Sequence, residues 1–368
     1  MNVDVVTPSI SNDSGGVGLV VRDTYMHLAQ HSACFHIRIN SLGAAPVEKE
    51  TVDNLHFYFH DRSIPKKLGY SRSMLSKAKT TDADLIHTHG IWMATSAYQN
   101  VVPKVVPKII SPHGMMDPWI VSRGKVKKLV AKILYERKAW KNCSVFHALN
   151  EIEADGIRAL VPNANIVIIP NGIDVPELQV KSEKERRILF LGRFHEKKNL
   201  HGLVAAVNAV PQEVYSKSPF KVTIAGWGDS GYEEQVKTQI TEGMSERFEW
   251  FGAAFGEDKA QLFREHDAFI LPSYSEGLPV AVLEAWANGL TVMKSANCNL
   301  QDAFLSGAAL DTGTSLESIG RAITDYISMP WSEVRDIAQR GHSLALSKYS
   351  WDSVLPRYRE MYEEVVRR

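Results

Sequence analysis

Three cysteines in 368 residues, no surplus of charge of either sign and no apolar run of membrane-spanning length set the outer limits of this chain. Cys34, Cys143 and Cys298 are odd in number and far apart, each inside an apolar segment. A disulfide framework and a short-spaced zinc motif are thereby excluded, and the three read as buried thiols in a reducing compartment. Lys plus Arg and Asp plus Glu both total 42, which removes the global electrostatic case for a nucleic-acid partner and leaves any attraction to anions local. The opening residues, Met1-Asn-Val-Asp-Val-Val-Thr7, carry neither the basic region nor the apolar region of a secretion signal, and no segment approaches the roughly twenty apolar residues of a spanning helix. A cytoplasmic protein is expected.

What is present is ordinary globular composition, 44% apolar, in a chain too long for one comfortable core. Short β-branched runs alternate with amphipathic segments of helical length, the pattern of parallel sheets covered on both faces by helices. Strands are expected at 3–7, 36–40, 84–88, 108–111, 145–148 and 166–169, then at 187–191, 221–225, 248–251, 268–271 and 291–294. Helices are expected at 17–31, 95–101, 125–141 and 150–160, then at 200–210, 232–241, 258–266 and 279–288. The fold class is therefore α/β with two Rossmann-like domains: 1–175, a charged linker at 176–186, and 187–349. Residues 350–368 form a closing helix with Leu355, Tyr358, Tyr362 and Val366 at helical spacing and Ser350 placed to cap it.

Four stretches carry chemistry. Ser273-Tyr-Ser-Glu276-Gly277-Leu278-Pro279 follows an apolar strand; Gly277 permits a tight bend and Pro279 suits a helix's first turn. Glu284 follows on the same helix, about 7 Å from Glu276 by helical rise, so the two carboxylates suit two hydroxyl-bearing parts of one ligand while the helix amides meet its phosphate. Taken alone, such a pair reads as a capping Glu276 and a solvated Glu284. Gly192-Arg193-Phe-His-Glu-Lys197-Lys198 follows another strand and offers a guanidinium fork and an ammonium to one anion, although a solvated basic loop has the same composition. Asn12-Asp-Ser-Gly15-Gly16-Val-Gly18 opens the first helix with glycines that let a phosphate approach, without the G-x-G-x-x-G spacing. His113, in Pro112-His113-Gly114, stands at a strand end where it can bond a sugar hydroxyl or a departing phosphate; a lone histidine is more often structural.

With Asp84-Leu-Ile-His87-Thr-His89-Gly90 and Pro170-Asn-Gly172-Ile-Asp174, these stretches make the chain resemble the family-four glycosyltransferases over nearly its whole length. That resemblance implies the GT-B fold, two Rossmann-like domains facing a central cleft with the last helix crossing back to the first. It also implies a retaining, metal-independent hexosyltransferase with no cofactor beyond its nucleotide-sugar substrate, a UDP- or GDP-sugar. Glu276 would contact the transferred sugar, Glu284 the ribose, Arg193 and Lys198 the diphosphate, Gly15 and Gly16 the phosphates, and His113 the sugar; Gly277 and Leu278 would line the donor site. The Pro112-His-Gly-Met-Met-Asp-Pro-Trp119 form is similar to a subgroup linked to bacterial exopolysaccharide or lipopolysaccharide assembly, which implies a glycan or polyprenyl-linked acceptor.

Competing readings are specific. Asp82-Ala-Asp84 invites a metal-dependent transferase, but its place ahead of a strand favours a surface turn. His87 and His89 are read as pointing to opposite faces of their strand, against a metal site with His113. A NAD-binding Rossmann oxidoreductase lacks its glycine fingerprint and acidic ribose residue, and a non-catalytic sugar-nucleotide binder has no use for Arg193, Lys198 and Glu276. The segment 123–141 is a basic amphipathic helix, with Leu129, Ile133 and Trp140 expected on its apolar side; it suits either the packed surface of a domain or anionic lipid at the inner face of the plasma membrane.

Overall fold

A computed structural model describes the chain except for residues 12–15, 44–51, 64–67, 179–184 and 241, and leaves the side chains of 242–243 aside. Its chain divides into two compact units, one of Met1–Gly172 with Trp351–Arg368 and one of Ile173–Ser350. The passage lies at 172–173, not in the expected linker at 176–186: the Pro176 carbonyl accepts from His342, and a Cβ on Gly289 would stand 2.3 Å from Leu178, both within the second unit. Charge and absent periodicity in 176–178 therefore mark a surface strap.

The first unit holds a parallel sheet of seven strands, β1 (Asn2–Thr7), β2 (His36–Leu42), β3 (Leu55–His60), β4 (Leu85–His89), β5 (Lys108–Ser111), β6 (Val145–Ala148) and β7 (Ile166–Ile168), in the order β3-β2-β1-β4-β5-β6-β7. The second holds six, β8 (Arg186–Leu191), β9 (Phe220–Ala225), β10 (Phe248–Gly252), β11 (Ala268–Leu271), β12 (Thr291–Lys294) and β13 (Ala309–Asp311), in the order β10-β9-β8-β11-β12-β13. Every pairing between these named strands is parallel. Helices cover the sheets, so β4, β5, β6, β11 and β12 are buried residue by residue. β3 and β13 go beyond the expected strands; each is an edge strand, and β13 has 3 residues. Helices Leu316–Ser328 and Trp331–Leu344 also go beyond them, although Ile319, Ala322, Ile323, Tyr326 and Ile327 lie buried at helical spacing.

Three local expectations are corrected. In the closing helix, Trp351–Arg367, the buried stripe runs through Val354, Leu355, Tyr358, Met361, Tyr362 and Val365, while Val366 is 38% exposed; at 3.6 residues per turn Val365 falls on the stripe and Val366 leaves it. In the basic segment, Lys125–Ala131 and Arg137–Lys141 are joined by a π-helical turn at Lys132–Glu136. That extra residue rotates one half against the other, so Trp140 is buried while Leu129 and Ile133 are 56% and 61% exposed. Cys34 is exposed and Cys143 half-buried; only Cys298 is buried. No helix among the described residues is long and apolar enough to cross a membrane.

The closing helix completes the first unit. Trp351, 7% exposed, stacks on His27 with ring centroids 4.3 Å apart, and a Cβ on Gly172 would lie 2.1 Å from the Trp351 ring. Gly172→Ala is expected to overpack this contact and destabilise the first unit by about 1–3 kcal/mol, read in urea unfolding followed by tryptophan fluorescence; a midpoint equal to that of the unsubstituted protein would contradict it.

Candidate active site

In each sheet one pair of adjacent strands sends its connections to opposite faces, β1 and β4 in the first unit, β8 and β11 in the second. Beyond the carboxyl ends of such a pair the loops diverge and leave a crevice, the place where open α/β sheets bind ligands. Gly15-Gly16 follows β1, His89 ends β4, Gly192–Lys198 follows β8 and Ser273–Glu276 follows β11. Asp82-Ala83-Asp84 precedes β4 and so sits at the amino ends; Asp82 pairs with Arg38 at 2.6 Å and Asp84 accepts from the Asn2 amide at 2.8 Å.

In the second unit, close backbone packing shapes the β8 loop. The Phe194 amide donates to the Trp227 carbonyl at 2.7 Å, and a Cβ at Gly226 (φ +151°) or Gly228 would come within 1.9 Å of the Gly192 oxygen or 2.3 Å of the Phe194 oxygen. Glycine is required at both. A short turn, Glu196–Lys198, ends at Asn199 in the left-handed region, and the Asn199 amide group donates to the carbonyls of Pro272 (3.1 Å) and Thr314 (2.9 Å). With the Tyr274 amide on the Lys197 carbonyl at 2.8 Å, this ties the β8 loop to the β11 loop.

The result is a buried ion pair. Lys198 Nζ lies 2.7 Å from Glu276 Oε1, with side chains 14% and 6% exposed; Ser273 Oγ donates to the same oxygen at 2.7 Å, and Lys197 Nζ stands 3.9 Å from Oε2. Asn299, also left-handed, donates to the Glu276 carbonyl at 2.5 Å and fixes the loop from the far side. Burial would raise the Glu276 carboxyl, but the two lysines and Ser273 outweigh it and hold the group below the usual carboxylate range. Glu276 is therefore an anion at neutral pH, and it does not cap the helix. Arg193 is exposed on the same loop as Lys198, Gly277 is half-buried and Leu278 is 7% exposed. Glu284 lies on the outer side of the helix Val280–Ala287, partly exposed, and pairs with Lys259 at 2.5 Å.

In the first unit, Gly15 lies outside the described residues; Gly16 is exposed and begins the helix Gly16–His31, with nothing within 4 Å of where a Cβ would stand. His113 is half-buried with φ +53°, a strained conformation held because the next amide, Gly114, donates to the buried Glu153 at 2.7 Å. His113 Nε2 meets His89 Nδ1 at 2.8 Å, and His89 Nε2 meets Tyr25 Oη at 2.7 Å. Residues two apart on a strand share a face, so the expected divergence of His87 and His89 is corrected: their rings stack with centroids 4.2 Å apart. His87 continues through Ser111 Oγ (2.6 Å) to His147 (2.6 Å), whose Nε2 meets the Ile169 carbonyl at 2.7 Å.

The motif reading gives no role in the site to Tyr25, Tyr362, Ser111, His147, Ser273, Asn199 or Asn299. A signal existed for Ser111 and His147, which interrupt strands of otherwise apolar character. None existed for Tyr25 or Tyr362, which sit in amphipathic stripes as any core tyrosine does.

Comparison with known proteins follows the same division. The family described as "Glycosyltransferase Family 4" matches residues 14–177, and "Glycosyl transferases group 1" matches 175–343. An amylovoran biosynthesis glycosyltransferase, AmsK, of Erwinia amylovora is 34% identical over 123 residues, 32% of this chain and 29% of that protein. An Escherichia coli UDP-Gal:alpha-D-GlcNAc-diphosphoundecaprenol alpha-1,3-galactosyltransferase is 26% identical over 300 residues, 73% of this chain and 75% of its own length. The chain thus spans under a third of the first relative and three quarters of the second. Anabaena Alr3699/HepE, solved in complex with UDP-glucose, superposes with a TM-score of 0.76 at 14% identity, covering 99% of this chain and 100% of the other, which shows a shared fold. The two matches overlap at residues 175–177 and together span 14–343, so the chain is a glycosyltransferase of GT-B fold, with a first part of the family-four type and a second part of the group 1 type.

Proposed function

We propose that this protein is a retaining, metal-independent glycosyltransferase that moves a hexose from a nucleotide diphosphate sugar to a glycan or polyprenyl-linked acceptor in bacterial surface-polysaccharide synthesis, working in the cytoplasm at the inner face of the membrane. The observation that carries it is the buried pair of Lys198 and ionised Glu276 at the β8–β11 crevice, with the exposed Arg193 on the same loop. Cleavage of the donor builds negative charge on the diphosphate and positive charge on the sugar ring. Lys198 and Arg193 stabilise the first; Glu276 grips the sugar and faces the second. Glu284 holds the ribose, Gly277 and Leu278 line the donor, and Gly15-Gly16 and His113 serve its phosphates and sugar. The donor is a UDP- or GDP-sugar; the named relatives that use or bind UDP-sugars favour UDP.

Arg193→Ala or Lys198→Ala is expected to lower kcat/KM about 100-fold or more, the scale of losing one preorganised donor, while values within a few-fold of the unsubstituted enzyme for both would refute the assignment. Lys198→Ala also leaves burial as the main influence on Glu276. Its carboxyl then rises, so the acid limb of the pH–rate profile moves to higher pH, and an unmoved limb would show that Glu276 does not need to be ionised. Thermal melting with UDP, GDP, UDP-glucose, UDP-N-acetylglucosamine and GDP-mannose identifies the donor through mass-action stabilisation; no shift with any of the five would remove the donor reading. Retention is read by NMR from the anomeric configuration of the product, and an inverted anomer would contradict it.

Contact with an anionic membrane is a further part of this function. Val126, Leu129, Val130, Ile133 and Leu134 are 76%, 56%, 50%, 61% and 72% exposed on one short helical stretch that also carries Lys125, Lys127, Lys128 and Lys132. Aliphatic side chains that enter the acyl boundary, flanked by cations that meet lipid phosphates, form an interfacial helix. The protein is expected to float with phosphatidylglycerol vesicles at low salt, and the double substitution Leu129→Glu with Ile133→Glu is expected to abolish flotation; equal flotation of both proteins would overturn the assignment.

A further inference from the structure

The polar groups buried behind His113 form one closed account of donors and acceptors. His87 and His89 come from β4, Ser111 ends β5, His147 lies on β6, Tyr25 comes from the helix Gly16–His31 and Tyr362 from the closing helix. All six are at most 2% exposed, while His113, at the outer end, is half-buried. Burial first, then neighbouring histidines, hold His87 and His89 well below the usual histidine range; burial and then His147 bring His113 to about 3, and burial with the nearby Arg357 brings His147 to about 4. Burial likewise keeps both tyrosines protonated. Every imidazole is thus neutral near pH 7, with one N–H donor and one acceptor nitrogen.

The inner end fixes a direction. The Ile169 carbonyl only accepts, so His147 Nε2 donates to it and His147 Nδ1 accepts from Ser111 Oγ. Ser111 then accepts from His87 Nε2, which leaves His87 Nδ1 an acceptor toward the two phenols. Around the phenols are four short contacts: Tyr362 Oη to His87 Nδ1 (2.7 Å), Tyr25 Oη to His87 Nδ1 (2.8 Å), Tyr25 Oη to Tyr362 Oη (2.9 Å) and Tyr25 Oη to His89 Nε2 (2.7 Å). The two hydroxyl protons fill two of them. A third is filled only when His89 carries its proton on Nε2 and donates to Tyr25. With that proton on Nδ1, two pairs of lone pairs would face each other at hydrogen-bond distance in a buried site, which is costly. His89 Nδ1 is then an acceptor, and its partner at 2.8 Å, His113 Nε2, is the donor.

We propose that this network clamps His113 as its Nε2–H tautomer, so that Nδ1 is presented as an acceptor and takes a hydrogen bond from a hydroxyl of the sugar, with Tyr25 as the positioning residue that maintains this polarity. The proposal rests on the reading in which His113 meets the sugar, and sharpens it: a hydroxyl donates to an unprotonated Nδ1, whereas a phosphate oxygen has no proton to give. Because the inner end stops at a carbonyl, no proton passes through; the chain orients and does not conduct.

The test is long-range 1H–15N correlation NMR of the full-length protein labelled with 15N-histidine, free of ligand near pH 7, with His113 assigned by its disappearance in His113→Gln. Expected are an unprotonated-type shift for His113 Nδ1 and a protonated-type shift for Nε2. In Tyr25→Phe, which removes the acceptor of the His89 proton, the two His113 shifts are expected to move toward each other as the tautomers mix. Tyr362→Phe retains Tyr25 between His87 and His89 and is expected to leave them in place. A protonated Nδ1 in the unsubstituted protein, or shifts unaltered in a folded Tyr25→Phe, would overturn the proposal; if Tyr25→Phe does not fold, the first of these measurements still decides. The sugar contact fails separately: His113→Ala with undiminished transfer from the nucleotide sugar selected by melting would remove that contact and leave the tautomer measurement standing.

Discussion

A polar side chain that is itself buried at the end of a strand is cut off from water, so it must find its partners in the protein. That constraint governs both units. In the second it produces a carboxylate held by two lysines and a serine; in the first it produces imidazoles, hydroxyls and one terminal carbonyl joined in sequence. Chemistry gathers at these ends because parallel strands leave the sheet there and the helices that follow turn their amides back toward them.

The charge arrangement in the second unit has a functional logic. Lys198 and Glu276 neutralise one another before any donor arrives, which makes burying both tolerable. In the proposed function, an incoming diphosphate competes with Glu276 for the ammonium, and the sugar that arrives with it offers the carboxylate hydroxyl donors in return. A nucleoside diphosphate without a sugar brings no such replacement for Glu276. On that proposal the site favours the intact donor over the product it leaves behind.

Much of this was legible in the residues. Strands of near-continuous apolar character, glycine-bearing loops after them and cations spaced beyond one of them lead to two α/β units and to Lys198 with Glu276, because each of those signals is local. The errors have local causes as well. A single extra residue in a π turn parts Leu129 and Ile133 from Trp140, with which they were expected to share one apolar side, and one position of phase separates Val365 from Val366. The unit boundary was placed by charge at 176–186, whereas the packing of Pro176 and Leu178 decides it. Beyond reach were partners brought together only by the fold: Tyr25 and Tyr362 are 337 positions apart, and no pattern in either helix reveals that their hydroxyls lie 2.9 Å from each other.

That last separation bears on how the molecule is made. The first unit comprises residues on both sides of the second in sequence, so its hydrophobic core lacks Trp351, Leu355, Tyr358 and Tyr362 until the whole of the second unit has been made. Domains ordinarily consolidate in order of emergence from the ribosome. Here the order is inverted: Ile173–Ser350 has its whole complement of residues first, and the sheet of the first unit waits, one helix short, until Trp351–Arg367 has emerged.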